Sequence, residues 1–142
     1  MEQDSFLFDA SSILISVKEF GEKAIEILPE GSTVSLAFYE VGNAIWKESS
    51  LFGRIAEGEA LEILRTVFAI IERMNVIDLS GDGDLGVKAL ALAGRFNLTF
   101  YDAVYLAAAQ KYGGILVTED ERLKKAAEKT KIKTKKTIEI KE

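Results

Sequence analysis

The chain contains no cysteine and no histidine and has a single proline. Nowhere does it run to the roughly 18 uninterrupted apolar residues that a bilayer-crossing helix needs. The first two absences restrict the chemistry most. Without a thiol or an imidazole, Ser-His-Asp and Cys-His nucleophilic catalysis, imidazole general bases and Cys/His zinc centres are all excluded. Any site must be built from carboxylates, amides, hydroxyls, phenols and the cationic heads of Lys and Arg. Lack of cysteine also suits a reducing compartment without proving one. The N-terminus, Met1-Glu2-Gln3-Asp4, lacks the basic flank of a secretory signal. The expectation is a cytoplasmic protein with no membrane span.

What is present suffices for one core. At 142 residues and 48% hydrophobic content the chain can bury one well-formed interior and is too short for two ordinary domains, so a single domain, 1–142, is expected. The net charge of −5 hides an asymmetry. From Arg122 onward nine basic residues stand against three acidic ones, leaving nine against twenty before it, so the body carries about −11 and the C-terminal segment 122–142 about +6. An acidic body repels a polyanion unless cations neutralise part of it or a basic rim reaches the ligand. A solvated surface is the simpler account of the basic segment.

Apolar periodicity predicts strands at Phe6 to Phe8, Thr33 to Leu36, Val76 to Leu79, Ile115 to Thr118 and, more weakly, Thr137 to Ile140. Between them, three- and four-residue apolar spacing predicts helices over 37–49, 56–74, 85–96, 100–112 and 119–129. Strands alternating with helices imply an α/β fold with a covered parallel sheet. Pro29 and Gly31 mark a turn before the second strand. Gly81-Asp82-Gly83-Asp84 resembles a calcium loop only superficially, because Gly86 stands where another oxygen ligand belongs; it reads as a loop entering a helix.

Four acids stand out against this pattern. The first strand runs directly into Asp9, and Asp120 follows the strand of Gly114-Ile115-Leu116-Val117-Thr118. In an open parallel sheet ligands bind beyond the carboxyl ends of the strands. If those two strands are neighbours, about 4.8 Å apart, both side chains reach one crevice. Glu40 and Asp102 lie near the starts of otherwise apolar helices, where a charge needs a reason. Capping explains some of them singly: Asp9 could cap a following helix, Thr99 to Asp102 has the form of a capping box, and so does Thr118 to Glu121. It does not explain the set. Carboxylates about 4 Å apart repel by about 4 kcal/mol per pair at an effective dielectric of 20, so a cluster requires a cation or protonated members. Oxygen donors suit hard cations such as Mg2+ or Mn2+.

Asp9-Ala10-Ser11 after the first strand, Glu40 with Asn43, Tyr101-Asp102-Ala103 opening an alanine-rich helix, and Gly114 to Asp120 together resemble the PIN-domain nucleases, most of all the VapC-type toxins of toxin–antitoxin pairs. The likeness spans about Phe6 to Leu123. It implies a three-layer, Rossmann-like α/β fold with a central parallel sheet flanked by helices, and metal-dependent endonucleolytic hydrolysis of RNA phosphodiester bonds. Asp9, Glu40, Asp102 and Asp120 then fall on the four acidic positions around Mg2+ or Mn2+, with Ser11, Asn43 and Thr118 in supporting places. Arg122, Lys124, Lys125 and Lys47 are candidates for phosphate contact. The resemblance further implies a homodimer neutralised by a small antitoxin. Surplus apolar positions at Leu51, Phe52, Phe68 and Ile71 offer a docking face or, equally, ordinary core.

Three other classes place an acid at the end of a first strand or share the PIN-like pattern. A haloacid-dehalogenase-type phosphatase needs an acid where Ser11 stands. A receiver-type regulatory domain needs paired acids near the first strand, and Asp9 has no acidic neighbour. A non-catalytic PIN-like module binding RNA or protein is compatible with the sequence.

Overall fold

Four of five strands grow from the apolar runs. In a computed structural model, which describes residues 5–140, β1 (Phe6–Phe8), β2 (Ser32–Val34), β3 (Asn75–Ile77), β4 (Ile115–Val117) and β5 (Thr134–Lys135) form one parallel sheet in the order β3-β2-β1-β4-β5. The helices are α1 (Ala10–Phe20), α2 (Ala24–Ile27), α3 (Leu36–Trp46), α4 (Glu57–Ile71), α5 (Gly83–Phe96), α6 (Phe100–Tyr112) and α7 (Glu121–Lys129). Met1-Glu2-Gln3-Asp4 and the last two residues of the basic segment lie outside the described residues. Among the described residues no helix is long and apolar enough to cross a membrane.

Alternation along each strand divides the core in two. Leu7, Val34, Ile77 and Leu116 face α5, α6 and α7; Phe8 and Val117 face the layer of α1 to α4, where Ile13, Val41 and Ile71 are fully buried. Strands are laid outward from β1 to β3, and the chain then returns to place β4 and β5 on the other side of β1. Because parallel crossovers keep one hand, this reversal sends the later helices to the opposite face. The result is the three-layer α/β arrangement expected. Its order differs from the 2-1-3-4-5 order of receiver-type folds, which removes the fold support for that reading. Helix α6 is buried continuously from Ala103 to Ala109 and packs on α5, α7, β1, β2 and β4. An apolar circumference suits a helix covered on all sides.

Some expectations need correction. Leu36 begins α3 and Leu79 enters a 3-10 turn, so β2 and β3 end earlier than their apolar runs. Thr137 to Ile140 is no strand; Thr137–Glu139 is a 3-10 turn and the fifth strand is Thr134–Lys135. The cause is competition for donors: Thr137 N donates to Glu119 Oε2 and Lys136 N to Glu139 Oε1, each at 2.7 Å, which removes donors a ladder would use. Helix α1 enters the sequence reading only as a helix that Asp9 could cap, although Ile13, Leu14, Val17 and Phe20 carry helical spacing. Of the apolar surplus, Ile71 is core and Phe68 packs edge-on against Phe38 at 5.0 Å, whereas Leu51 and Phe52 remain more than half exposed.

The join between β1 and β4 requires Gly114. Its φ is +118°, and a Cβ there would lie 2.9 Å from the Ser5 carbonyl oxygen, which accepts from Ile115 N at 2.7 Å. Gly114→Ala should lower the unfolding free energy by about 1–3 kcal/mol in urea titrations. Gly58→Ala, on an open stretch of α4 with nothing within 4 Å of the added methyl, should leave it unchanged or slightly raised.

Candidate active site

At the β1/β4 reversal the backbone stops being sheet and its polar groups turn to side chains for partners. Asp9 leaves β1 extended and caps α1: its Oδ1 accepts from Ser12 N at 2.8 Å, while Ser12 Oγ donates to the Asp9 carbonyl at 2.9 Å. One strand over, Thr118 follows β4. Its hydroxyl hydrogen-bonds the Asp9 carboxylate and accepts from Asp120 N at 3.0 Å. One buried hydroxyl thus uses its donor and an acceptor site to tie two acids together. Asp120 caps α7, accepting from Arg122 N and Leu123 N at 2.8 and 3.1 Å. The expected cap at Thr118 is therefore displaced by two residues, because the threonine is occupied beneath.

The other two acids come from opposite layers. Asp102 is the third residue of α6, where its N–H donates to Thr99 Oγ1 at 3.1 Å, the half of the expected capping box that forms. Glu40 projects from α3, and its Oε1 accepts from the Tyr105 phenol at 2.7 Å. Asp9, Ser11, Glu40, Asn43, Asp102 and Asp120 line a single cleft of about 250 Å3, together with Lys47 and Tyr105. Thr118, the seventh position anticipated, is 1% exposed and lies under the cleft rather than on its wall.

Electrostatics follow from this convergence. Burial pushes the Asp9 carboxyl above its usual range and the charge of Asp102 adds to this, while hydrogen bonds from Thr118 and Ser12 oppose it. Burial raises Glu40 too, with Asp102 and Asp9 adding and Tyr105 opposing. For Asp102 burial again leads, then the charge of Asp120, against Thr99 and the Arg122 guanidinium. The Tyr105 hydroxyl is shifted upward by burial and by Glu40, so it remains a donor. Among the described residues no three acids are set closely enough around one point to hold an ion directly. The donor set nevertheless fits a hard cation that keeps part of its water: Mg2+ takes one or two carboxylates directly and reaches others through solvent.

Among the basic candidates, Lys47 lines the cleft and Arg122 acts electrostatically on Asp102. Lys124 and Lys125 ride on α7 and are not part of the cleft wall. Two contributors were missed from sequence. Tyr105 sits three residues after Asp102, a spacing that puts both on one helix face; Ser12 sits at the third position of a helix capped by Asp9. Both signals were present, but nothing in the sequence marks the 65-residue pairing of Tyr105 with Glu40.

Residues 7–129 match the family model described as the PIN domain. Two relatives come from Pyrobaculum aerophilum. The protein named Ribonuclease VapC3 is 35% identical over 105 residues, covering 74% of this chain and 77% of that protein. The one named Exonuclease VapC9 is 32% identical over 118 residues, covering 83% and 82%. Among solved structures, PAE2754 from the same organism superposes with a TM-score of 0.75 at 29% identity, over 95% of this chain and 92% of that one. A toxin–antitoxin complex from Klebsiella pneumoniae gives 0.54 at 24% identity over 82% and 87%, a likeness of fold alone.

The raised acids have a thermodynamic consequence. A carboxyl whose pKa is higher folded than unfolded holds more protons in the folded state, so its contribution to stability declines as pH rises from the ordinary values of 3.8 and 4.5 through the folded one. Asn caps a helix as well as Asp does. In chelator at neutral pH, Asp9→Asn should therefore raise the melting temperature by a few degrees and flatten its fall as pH rises above about 4, as read by calorimetry.

Proposed function

Starting from a chain that belongs to the PIN-domain family, we propose that it is a metal-dependent endoribonuclease, the toxin of a toxin–antitoxin pair. The observation that carries this reading is the convergence of Asp9, Glu40, Asp102 and Asp120, from four separate segments, on one open cleft where strand order reverses. These acids would hold Mg2+ or Mn2+, which when bound lowers the pKa of water and offsets charge on the departing oxygen.

The chain's own groups perform the remaining tasks. Thr118 and Ser12 fix Asp9, so that an acid at the end of a strand cannot rotate away from the cleft. Ser11 and Asn43, both exposed at the wall, offer a hydroxyl and an amide to phosphate oxygens. Lys47 at the cleft wall and Arg122, whose charge acts on Asp102, would supply the positive charge an acidic body otherwise denies to a polyanion. The cleft is open to solvent, which suits a chain passing through rather than an end inserted. The two curated relatives, one named a ribonuclease and one an exonuclease, make the point of attack a matter for experiment.

A second groove, of about 570 Å3, adjoins the first through Leu14, Ala44 and Lys47, and is walled by Val17, Ile45, Phe52, Ile55 and Val67. Its apolar lining and length along α1, α3 and α4 suit an amphipathic antitoxin helix. The homodimer implied by the family resemblance belongs to the same proposal.

Purified protein should cleave circular single-stranded RNA with Mg2+ or Mn2+, which an exonuclease cannot do. Asp102→Asn should reduce the rate by about a hundredfold or more, and chelator should abolish it. Intact RNA under every metal would favour a purely binding module. Phe52→Glu should keep cleavage but lose co-purification with any small antitoxin protein encoded beside this gene. Light scattering on the wild-type protein tests the dimer.

A further inference from the structure

We infer that Tyr105 is a positioning residue that holds Glu40 in the cleft ready for a divalent cation, an inference resting on the cation reading proposed above. Its phenol donates to Glu40 Oε1 at 2.7 Å. The bond joins α6, on one face of the sheet, to α3, on the other.

Glu40 is the acid that most needs such a partner. Asp9 and Asp120 each cap a helix, and Asp102 sits in a helix's first turn beside Thr99. Glu40 lies inside α3, where the backbone N–H groups are already committed to the helix. Its side chain is longer than an aspartate's and loses more freedom when fixed. Asp9 and Asp102 carry the same charge nearby. Left to itself it would swing toward solvent.

Tyr105 is built to prevent this. It is 1% exposed and belongs to the same buried core as Leu7, Leu116 and the α6 alanines. A tyrosine has two side-chain torsions, and packing settles both, so the hydroxyl is presented at a fixed point. Its single O–H takes one carboxylate oxygen and leaves Oε2 free for a cation or its water. Partners that orient a metal-binding side chain commonly change metal affinity ten- to a hundredfold when removed. The three-residue spacing of Asp102 and Tyr105 on α6 means that the helix delivers one acid directly and steadies another.

The test measures Mn2+ binding to the purified protein by electron paramagnetic resonance of the free ion, with thermal denaturation alongside. Tyr105→Phe keeps the ring and should weaken Mn2+ binding about tenfold while the fold remains intact. Glu40→Gln should weaken it as well, and Tyr105→Phe added to Glu40→Gln should cause no further loss, since Tyr105 acts only through Glu40. Should the phenylalanine variant prove less stable, Mn2+ binding is measured well below its thermal transition, where the protein is folded. If removing the hydroxyl leaves Mn2+ affinity unchanged while Glu40→Gln lowers it, the inference about Tyr105 fails and the cation site stands. If Glu40→Gln itself has no effect on Mn2+ binding, Glu40 is not at the cation and the inference about Tyr105 falls; if the wild-type protein binds no Mn2+, the cation reading falls as well.

Discussion

Like charge confined to a small space governs this molecule. Three acids of the cleft are pushed upward in pKa chiefly by burial, and the charge of a neighbouring acid adds a smaller push to each. Such a grouping persists only where covalent geometry and hydrogen bonds hold the acids against repulsion. The chain meets that requirement with inexpensive parts: helix starts that favour negative charge, one threonine shared between two aspartates, a serine below Asp9 and a phenol against Glu40. The sheet, with its reversal between β1 and β4, brings those parts to one edge.

The supports belong to different layers, and this gives the site its shape. Asp9 and Thr118 come from adjacent strands, so their separation is set by the ladder between β1 and β4. Glu40 belongs to the layer on one face and Asp102 to the layer on the other. The width of the cleft is therefore the distance between two helical layers measured at the sheet's carboxyl edge. Core packing in both layers fixes a dimension that surface loops would leave loose.

The pattern of strands and helices was readable from the sequence because periodicity and burial agree over most of the chain: Phe6 to Phe8, Ile115 to Val117 and the helix from Phe100 to Tyr112 appear where apolar spacing puts them. The acids were visible as charges placed where burial should rule. What escaped notice had two causes. The stretch after Thr134 carries a strand-like pattern, but carboxylates from Glu119 and Glu139 take its backbone donors, and such long-range competition has no local signature. Tyr105 looked like core because it is core; only its oxygen reaches the cleft, and its partner lies 65 positions away.

The run of alanines through α6 has a meaning beyond filling space. Small side chains let that helix lie close on the sheet, and Asp102 and Tyr105 are rigid parts of the same rod. The bulk of residues that never meet solvent thus acts as a spacer, like a shim under a bearing. A single extra methylene midway along the rod would tilt it and be felt at its tip. Tuning of this cleft can therefore come from positions that no inspection of its walls would single out.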